Sequence, residues 1–393
     1  MRLEGSMDRP RFLLDAAQRL RADMVDRLST LVSRESAPGS LPQLESCADL
    51  LADWGQEVLG RPTHRVVIDG LPHLLWPATD QRVLLLGHFD TVFPVGTIRA
   101  RPFDVRGDVA TGPGVCDMKA GIVQMVTALG LVEDTSTVGV LLTCDEETGS
   151  GTSRDLIERE ARRSGAVLVC EAATPDGQLK VARKGGSVYR VTVSGRAAHA
   201  GVEPQRGVNA TVEVAHQVLT LGRLGAADSD GTSVTPTVLS AGTTTNTVPE
   251  RASLAVDVRA WTRDELERVD HAIRGLVPFL PEATLAVHGG INRYPMSAEL
   301  ARPLLEVAQS IARRLGIPRL TGAYAAGASD GNFTAALGVP TLDGLGAVGG
   351  GAHAADEYVC LDRMPERTAL LAGLVDALST MERLGPRRVD DIP

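Results

Sequence analysis

The sequence has few aromatic residues and no long run of apolar residues. Its 393 residues include only 6 Phe, 4 Tyr and 3 Trp, so the core must be mainly aliphatic and the surface offers few rings for stacking. No window approaches the ~20 apolar residues of a membrane-spanning helix, and the N-terminal segment lacks the apolar stretch of a secretory signal peptide. We therefore expect no membrane partner and no secretion.

Basic residues are neither in excess nor clustered. The chain carries 40 Lys and Arg against 49 Asp and Glu, a formal net charge of −9 at pH 7. A groove that follows nucleic acid neutralises phosphates with clustered basic side chains, so we predict no nucleic-acid partner. The hydrophobic content of 43% and the charged content of 23% are typical of a folded globular protein, which excludes a disordered chain.

The five cysteines are odd in number, widely spaced and without a CxxC pair. This pattern favours buried free thiols in a reducing compartment over a disulfide framework, so we expect a cytoplasmic protein. Cys116, Cys144 and Cys170 lie close in sequence to the metal-ligand candidates described below, but core packing is the favoured interpretation for all of them.

Three apolar runs predict the buried strands of one parallel sheet. Val83–Leu86, Val138–Cys144 and Val167–Cys170 alternate with helical patterns, and a helical pattern over residues 8–57 precedes them. The predicted fold class is therefore α/β, with a mainly parallel twisted sheet. Ionisable residues follow each run, and open α/β sheets bind ligands at the carboxyl ends of their strands.

A second, smaller domain is predicted to interrupt the first. After Gly185 the pattern changes to an alternation of apolar and polar residues, which is typical of half-exposed strands. The order that follows is strand, helix, strand, strand, helix, strand, which is that of the ferredoxin-like α+β unit. The predicted organisation is a catalytic domain formed by residues 1–184 and 295–393, with an inserted lid or dimerisation domain at residues 185–294.

Five residues with imidazole or carboxylate side chains are predicted to meet at one edge of the parallel sheet. Nitrogen and oxygen ligands without thiolates suit Zn²⁺ in a catalytic site, with Co²⁺ or Mn²⁺ as possible substitutes. Two histidines and three carboxylates suffice for two ions if one carboxylate bridges them, and such a pair lowers the pKa of a bridging water to about 7. The five candidates are His88, Asp117, Glu147, Glu171 and His353.

Two further acids acquire roles beside this set. Asp90 follows His88 by two residues and could accept its second ring N–H, which fixes the tautomer. Glu146 directly precedes Glu147 and could take a proton from the bridging water and pass it to a leaving amine. Taken alone, each of these residues also suits an ordinary strand end, helix cap or solvated turn. The prediction of a metal centre depends on their combination.

Six motifs in a consistent order make the chain resemble a known family. They are GHFDTV, GPGVCDMKAG, CDEETGSG, VCEAAT, GRAAHAG and GGAHAADEYV. From about residue 80 to its end the chain is similar to the M20 family of dinuclear zinc metallopeptidases, of the glutamate carboxypeptidase (carboxypeptidase G2) type.

The resemblance implies specific roles for the ligand candidates. Asp117, His88 and Glu171 would hold one zinc ion, and Asp117, Glu147 and His353 would hold the other. It also implies that Glu146 is the general base, that Asp90 is the acid behind the first histidine, and that the Asp117–Met118 peptide bond is cis.

For the inserted domain, the resemblance implies contacts to the substrate. His199 matches a histidine that stabilises the tetrahedral oxyanion, often in the site of a partner subunit, so a homodimer through the inserted domain is expected. Asn246 and Arg259 match residues that bind the substrate carboxylate, and Arg293 is a second candidate for this role. Gly327 and Ser329 belong to a loop, GASD, that the family usually writes as GGTD. The expected substrate-binding residues are therefore Asn246, Arg259, Arg293, Gly327 and Ser329.

The implied activity is hydrolysis of an amide bond in a small molecule or short peptide, with release of an amino acid that has a free α-carboxylate, such as glutamate. Carboxypeptidase action is the first choice. N-acyl-amino-acid deacylation and a biosynthetic deprotection step are alternatives, because the sequence does not show which acyl group is removed.

Other motifs suggest different functions. Gly344–Gly349 satisfies the dinucleotide-binding pattern GxGxxG, but loop residues rather than a helix follow it. Gly327–Gly331 satisfies GxSxG and would make Ser329 the nucleophile of a serine hydrolase, which leaves the metal-ligand candidates without a role. A binding protein on a degenerate peptidase scaffold is disfavoured, because neither Glu146 nor any ligand candidate is substituted.

Overall fold

The computed structural model describes residues 9–225, 231–317 and 319–381. The helical pattern predicted over residues 8–57 corresponds to three helices, the first of which begins at Arg9. Residue 8 lies outside the described residues. The helices are, in chain order, α1 (Arg9–Arg19), α2 (Arg21–Val32), α3 (Leu41–Leu59), α4 (Thr97–Ala100), α5 (Ala120–Leu131), α6 (Arg154–Arg163), α7 (Ala210–Leu224), α8 (Arg263–Arg274), α9 (Ala298–Leu315), α10 (Gly331–Ala336) and α11 (Met364–Thr380).

The strands belong to several sheets of different size. In chain order they are β1 (His64–Ile68), β2 (Leu71–Trp76), β3 (Val83–His88), β4 (Asp104–Arg106), β5 (Val109–Thr111), β6 (Val138–Thr143), β7 (Ala166–Val169), β8 (Leu179–Arg183), β9 (Gly185–Ser194), β10 (Ala198–His199), β11 (Ser233–Ala241), β12 (Thr247–Val248), β13 (Arg251–Ala260), β14 (Thr284–Arg293), β15 (Gly322–Ala325), β16 (Thr341–Leu342), β17 (Gly349–Gly350) and β18 (Tyr358–Cys360).

The described residues form two compact units. The smaller unit contains Arg183–Met296 together with Ala326–Ala328, and the larger unit contains the other described residues. No helix among the described residues is both long enough and apolar enough to cross a membrane.

The larger unit is built on a six-stranded sheet of order β1-β2-β6-β3-β7-β16. The pairs β6–β3, β3–β7 and β7–β16 are parallel, and β3, β6 and β7 are buried along their whole length, which confirms the predicted α/β fold with a mainly parallel sheet. The apolar-run criterion missed the antiparallel strands β1 and β2. A turn at Asp69 and Gly70, both with positive φ, joins them. An Asp-Gly pair is typical of a two-residue hairpin turn, so the sequence does contain an indication of this hairpin.

A small antiparallel sheet in the same unit has the order β17-β18-β5-β4. Strand β18 pairs with β5 so that Tyr358 lies opposite Thr111 and Val359 opposite Ala110. The chain leaves β17 and returns in β18 through residues 351–357, and it leaves β5 towards a turn at Val115–Lys119 that leads into α5. The loop 351–357 and the turn Val115–Lys119 therefore lie at the same end of the strand pair β18–β5.

The smaller unit has the strand order β11-β13-β9-β14, all antiparallel, with α7 and α8 packed against its apolar face. The order along the chain is β9, α7, β11, β13, α8, β14, which is the predicted ferredoxin-like succession. Burial alternates residue by residue along β13, as a half-exposed strand requires. Arg183 and Met296, at the entry and exit of this unit, exchange two backbone hydrogen bonds.

The prediction that the cysteines are free and packed in the core is confirmed for four of the five. The cysteines are all free, and Cys47, Cys116, Cys144 and Cys170 are buried, as core packing predicts. At the start of α6, the N–H groups of Thr152 and Ser153 donate to the carboxylate of Asp145, and the Thr152 hydroxyl donates to the same oxygen.

Close packing of α5 against the end of β7 gives a testable prediction. A Cβ placed on Gly121 would lie 2.0 Å from the carbonyl oxygen of Cys170, and a backbone atom cannot move aside cheaply. We expect Gly121→Ala to lower the free energy of unfolding by about 1–3 kcal/mol, as overpacked cores do, measured by urea denaturation. Gly130→Ala in the same helix is the control, because its nearest neighbour, Val58 Cγ1, is 3.8 Å away. Equal stability of the two variants would contradict the packing argument.

Candidate metal centre

Each ligand candidate lies at the end of a strand or in the loop or turn that follows one. His88 is the last residue of β3, Glu171 lies just beyond β7, and Glu147 is in a 3₁₀ turn, Glu146–Thr148, beyond β6. Asp117 lies in the turn before α5, and His353 lies in the loop between β17 and β18. All five belong to the larger unit. The peptide bond between Asp117 and Met118 is cis, as the resemblance implies.

The structure brings these five residues together in two groups that share Asp117. In the first ligand group, His88 Nε2 is 3.2 Å from Asp117 Oδ1 and 3.3 Å from Glu171 Oε1. In the second ligand group, His353 Nε2 is 3.4 Å from Asp117 Oδ2 and 3.1 Å from Glu147 Oε2. The two carboxylate oxygens of Asp117 therefore face different groups, which is the arrangement of a bridging ligand.

These separations fit zinc. Two ligands that each lie 2.0–2.1 Å from Zn²⁺ at a tetrahedral angle are about 3.3 Å apart. In addition, His88 Nε2, Asp117 Oδ1 and Glu147 Oε1 are buried and make no aligned hydrogen bond among the described residues. Buried polar atoms are normally satisfied, so these atoms call for a partner that they could share. A cation held by each group would satisfy them, and three protein ligands in each group would leave a position for water or substrate.

The charges in the two groups attract a cation. Burial by itself lowers the pKa of His88, but the neighbouring carboxylates, first of all that of Asp117, reverse this effect and raise the pKa well above its ordinary value. Asp117 and Glu147 raise the pKa of His353 to about 10. Burial raises the pKa of Glu147, whereas for Asp117 the effect of burial is outweighed by His353 and His88, which lower the pKa. Protons and a metal cation therefore compete for the same ring nitrogens.

Asp90 orients His88. The His88 Nδ1 atom lies 3.1 Å from the backbone carbonyl oxygen of Asp90 and 3.3 Å from its carboxylate oxygen Oδ1. Since both oxygens can only accept, Nδ1 carries the hydrogen and Nε2 presents its lone pair to the first ligand group. The same carboxylate accepts the backbone N–H groups of Glu146, at 3.3 Å, and Glu147, at 3.0 Å. One buried acid thus holds both a histidine ligand and the turn with the acid pair.

Two buried charged residues near the ligands were missed by the sequence analysis. Glu357 accepts three backbone hydrogen bonds from the turn that carries Asp117, and its burial raises its pKa to about 7. Arg367, on α11, donates to the carbonyl oxygens of Gly177, Gly344 and Gly346. Glu357 directly follows Asp356 inside the motif HAADEY, and the sequence pattern does not show that one of these two acids is buried. Arg367 lies on a helix that is apolar around most of its circumference, which indicates from sequence that this arginine is buried.

In the smaller unit the structure brings His199 and Asn246 close together. Strands β10 and β12 pair with His199 opposite Thr247, and Ala200 N–H donates to the carbonyl oxygen of Asn246 at 2.9 Å. Both residues are exposed. The N–H of Gly201 donates to His199 Nδ1 at 3.2 Å, so the neutral ring carries its hydrogen on Nε2.

The structure also places Arg259 and Arg293 in register with a single glycine. Gly186 on β9 lies opposite Arg259 on β13 and opposite Arg293 on β14. Directly paired residues project from the same face of a sheet. Asp257 binds Nε and Nη2 of Arg259, and a Cβ on Gly186 would lie 3.0 Å from Nη1 of the same guanidinium. The absence of a side chain at Gly186 therefore leaves room for the arginine.

The GASD loop differs from the expectation. Gly327 is exposed, and its carbonyl oxygen accepts a hydrogen bond from Arg183 at 3.0 Å. Ser329 is fully buried, and its hydroxyl donates to Asp343 at 2.6 Å. A hydroxyl so enclosed is not presented to a substrate, which speaks against Ser329 both as a substrate contact and as a serine nucleophile. The GxGxxG segment leads into β17 rather than a helix, so it lacks the helix N-terminus of a dinucleotide site.

Comparisons with known proteins agree with this geometry. Residues 84–377 match the model of "Peptidase family M20/M25/M40". The chain is 30% identical over 386 residues to carboxypeptidase G2 of Pseudomonas sp. strain RS-16, with 93% of this chain and 92% of that protein covered. It is 28% identical over 324 residues to succinyl-diaminopimelate desuccinylase of Granulibacter bethesdensis, with 76% of this chain and 83% of that protein covered. A solved structure, the M20 family metallo-carboxypeptidase Sso-CP2 of Sulfolobus solfataricus, has a similar fold, with a TM-score of 0.69, 17% identity, and 91% and 99% coverage.

Proposed function

The chain belongs to peptidase family M20/M25/M40 and is a metal-dependent hydrolase, and from this premise we propose that it cleaves an amide bond to release an amino acid with a free α-carboxylate. The observation that carries the proposal is Asp117, whose two oxygens face two separate ligand groups. The proposed metal is Zn²⁺ at both positions, held by the first and second ligand groups. A pair of ions there would polarise the scissile carbonyl and lower the pKa of the attacking water.

The residues of the chain supply the proton transfers in this proposal. Glu146 takes a proton from the attacking water and passes it to the leaving amine. Asp90 supports this role because it binds the backbone N–H of Glu146. His199 donates a hydrogen bond to the oxyanion from Nε2, the nitrogen that carries the hydrogen when Nδ1 accepts from Gly201.

Recognition of the α-carboxylate is proposed for the arginines, with Asn246 and the exposed backbone of Gly327 as further contacts. Arg259 suits this role because Asp257 binds one edge of its guanidinium and fixes the plane of the group. A planar guanidinium binds a carboxylate with two parallel hydrogen bonds, which lysine cannot do. Arg293 is opposite the same residue of β9 and is the second candidate.

The relatives support two candidate reactions. Carboxypeptidase action is the first candidate, because the carboxypeptidase G2 similarity covers nearly all of both chains. Removal of a succinyl or other acyl group from an amino acid, including a biosynthetic deprotection, is the second, because the desuccinylase similarity covers most of the chain.

A substrate screen tests the proposed reaction. The zinc-loaded protein is incubated with dipeptides, γ-glutamyl amino acids, N-succinyl amino acids and N-acetyl amino acids, and the released amine is measured. We expect hydrolysis of at least one class, its loss on chelation and its recovery with Zn²⁺. Glu146→Gln should retain two ions and lose kcat by about 10²–10⁴-fold, the usual contribution of a general base, whereas Glu133→Gln, an exposed change, should act like wild type. Near-normal turnover of Glu146→Gln would exclude this residue as the base.

Substitution of Arg259 tests carboxylate recognition. We expect Arg259→Ala to lower kcat/KM roughly 10–100-fold, in line with about 1.5–3 kcal/mol for a hydrogen bond to a charged group, and Arg259→Lys to recover only part of it. The control is Arg190→Ala, which removes an exposed arginine from the neighbouring strand β9. Substrates with an amidated α-carboxyl group should be cleaved equally by wild type and Arg259→Ala. An equal loss on both kinds of substrate would argue for a structural role only.

We also propose that the smaller unit pairs with a second copy of the chain through α7. Val212, Ala215, Leu219 and Gly222 are exposed at spacings of three and four residues, so they form one apolar stripe along the helix. Leu219 is 60% exposed, and a row of apolar side chains at this spacing is the pattern by which helices pair.

The α7 stripe is tested by sedimentation velocity. Leu219→Glu should convert a dimer into a monomer, because it places a charge at the centre of the stripe. Thr220→Glu, on a different side of the same helix, should leave the dimer unchanged. A dimer that persists in Leu219→Glu, or a wild-type chain that sediments as a monomer at micromolar concentration, would contradict the proposed interface.

A further inference from the structure

Glu357 links the loop of His353 to the turn of Asp117. It is 1% exposed and is the last residue of the loop 351–357, directly before β18. Strand β18 pairs with β5, with Tyr358 opposite Thr111, and the chain continues from Thr111 towards Asp117. Both ligand-bearing segments therefore leave the same end of one strand pair, and the Glu357 side chain lies where the backbone ladder stops.

The carboxylate of Glu357 continues the pairing beyond the ladder. Its Oε2 accepts the N–H of Gly114 at 2.8 Å, and its Oε1 accepts the N–H groups of Cys116 at 2.8 Å and Asp117 at 2.9 Å. Successive N–H groups that converge in a turn form a concave anion site. Gly114 adopts a φ of 72°, and a Cβ there would lie 2.3 Å from Thr91 Cγ2, so the turn is built to keep this shape.

The loop that carries His353 needs such an anchor. His353 has a φ of 67°, in the left-handed region that residues with a side chain rarely adopt, and its side chain is 53% exposed. By contrast, His88 and Glu171 of the first ligand group are attached to buried strands of the large sheet. The separation of His353 from Asp117, 3.4 Å between Nε2 and Oδ2, therefore depends on what joins their two segments.

We propose that Glu357 is a positioning residue that sets the separation of Asp117 and His353, and through it the affinity of the second ligand group for its metal ion. The inference rests on the two-metal centre proposed above and adds a residue that binds neither metal nor substrate. A carboxylate is required because every partner is a donor. In Glu357→Gln one oxygen becomes an NH₂ group that faces a backbone N–H, so at least one hydrogen bond is lost and two donors oppose each other.

Metal titration tests this inference without using activity. The dissociation constants of the first and second Zn²⁺ ions are measured by competition with a chromophoric chelator, and His353→Ala and His88→Ala identify which ion belongs to which group. In Glu357→Gln we expect the ion of the second ligand group to bind about 10–100-fold more weakly, as when a residue behind a ligand is removed, and the other ion to change less than about threefold. Asp356→Asn is the matched control, because it removes an exposed charge one residue away.

The variants also separate positioning from general destabilisation. Circular dichroism and the melting temperature of the metal-free proteins show whether Glu357→Gln folds, and Glu357→Asp, which keeps the charge on a shorter arm, is the second variant if it does not. Equal weakening of both ions, or unchanged affinity for both, would overturn the positioning role. If the wild-type chain itself bound fewer than two ions, the two-metal proposal would fail first. Two ions and normal hydrolysis in the wild type, with no change in either Glu357 variant, would leave the proposed function intact and remove only this inference.

Discussion

The candidate metal centre depends on one electrostatic constraint, the confinement of two carboxylates, those of Glu147 and Glu171, within a few ångströms of a third, that of Asp117. Asp117, Glu147 and Glu171 would repel each other strongly if they were anionic and had no cation between them. The acids also favour positive charge on the two neighbouring imidazoles, because they raise the pKa of both His88 and His353. A site of this kind is stable only when positive charge is bound in it and when the backbone cannot relax away from it.

The backbone segments that carry the ligand candidates are held by charged side chains that are not themselves ligand candidates. Asp90 accepts N–H groups of the turn with Glu146 and Glu147, and Glu357 accepts those of the turn with Asp117. Arg367 acts on carbonyl groups instead, including that of Gly346, whose N–H in turn donates to the carbonyl oxygen of Glu171. Buried carboxyl groups thus accept hydrogen bonds from some segments, and a buried guanidinium donates to the carbonyl groups of another. This division accounts for charged residues in a core that is otherwise aliphatic.

The sequence alone predicted the parallel strands, the ligand candidates and the ferredoxin-like order, because each has a strong pattern in sequence. Apolar runs mark β3, β6 and β7, and histidines and acids follow them directly. It could not predict the burial of Ser329, since a small hydroxyl residue in a glycine-rich loop suits both a core and a surface. It also missed Glu357, because the N–H groups that bind this carboxylate come from a turn more than two hundred residues earlier in the chain. Features of that kind depend on tertiary contacts and leave no local signal.

The junction between Arg183 and Met296 has a consequence for the history of such chains. The two residues bind each other through paired backbone hydrogen bonds, so the inserted segment enters and leaves the rest of the chain at a single point. Backbone pairing places almost no demand on side chains. A genetic exchange that replaced everything between these two positions would therefore leave both ligand groups intact. The metal-ligand candidates and the inserted segment can therefore diverge at different rates in this architecture, since they are encoded in stretches of chain that recombination can separate.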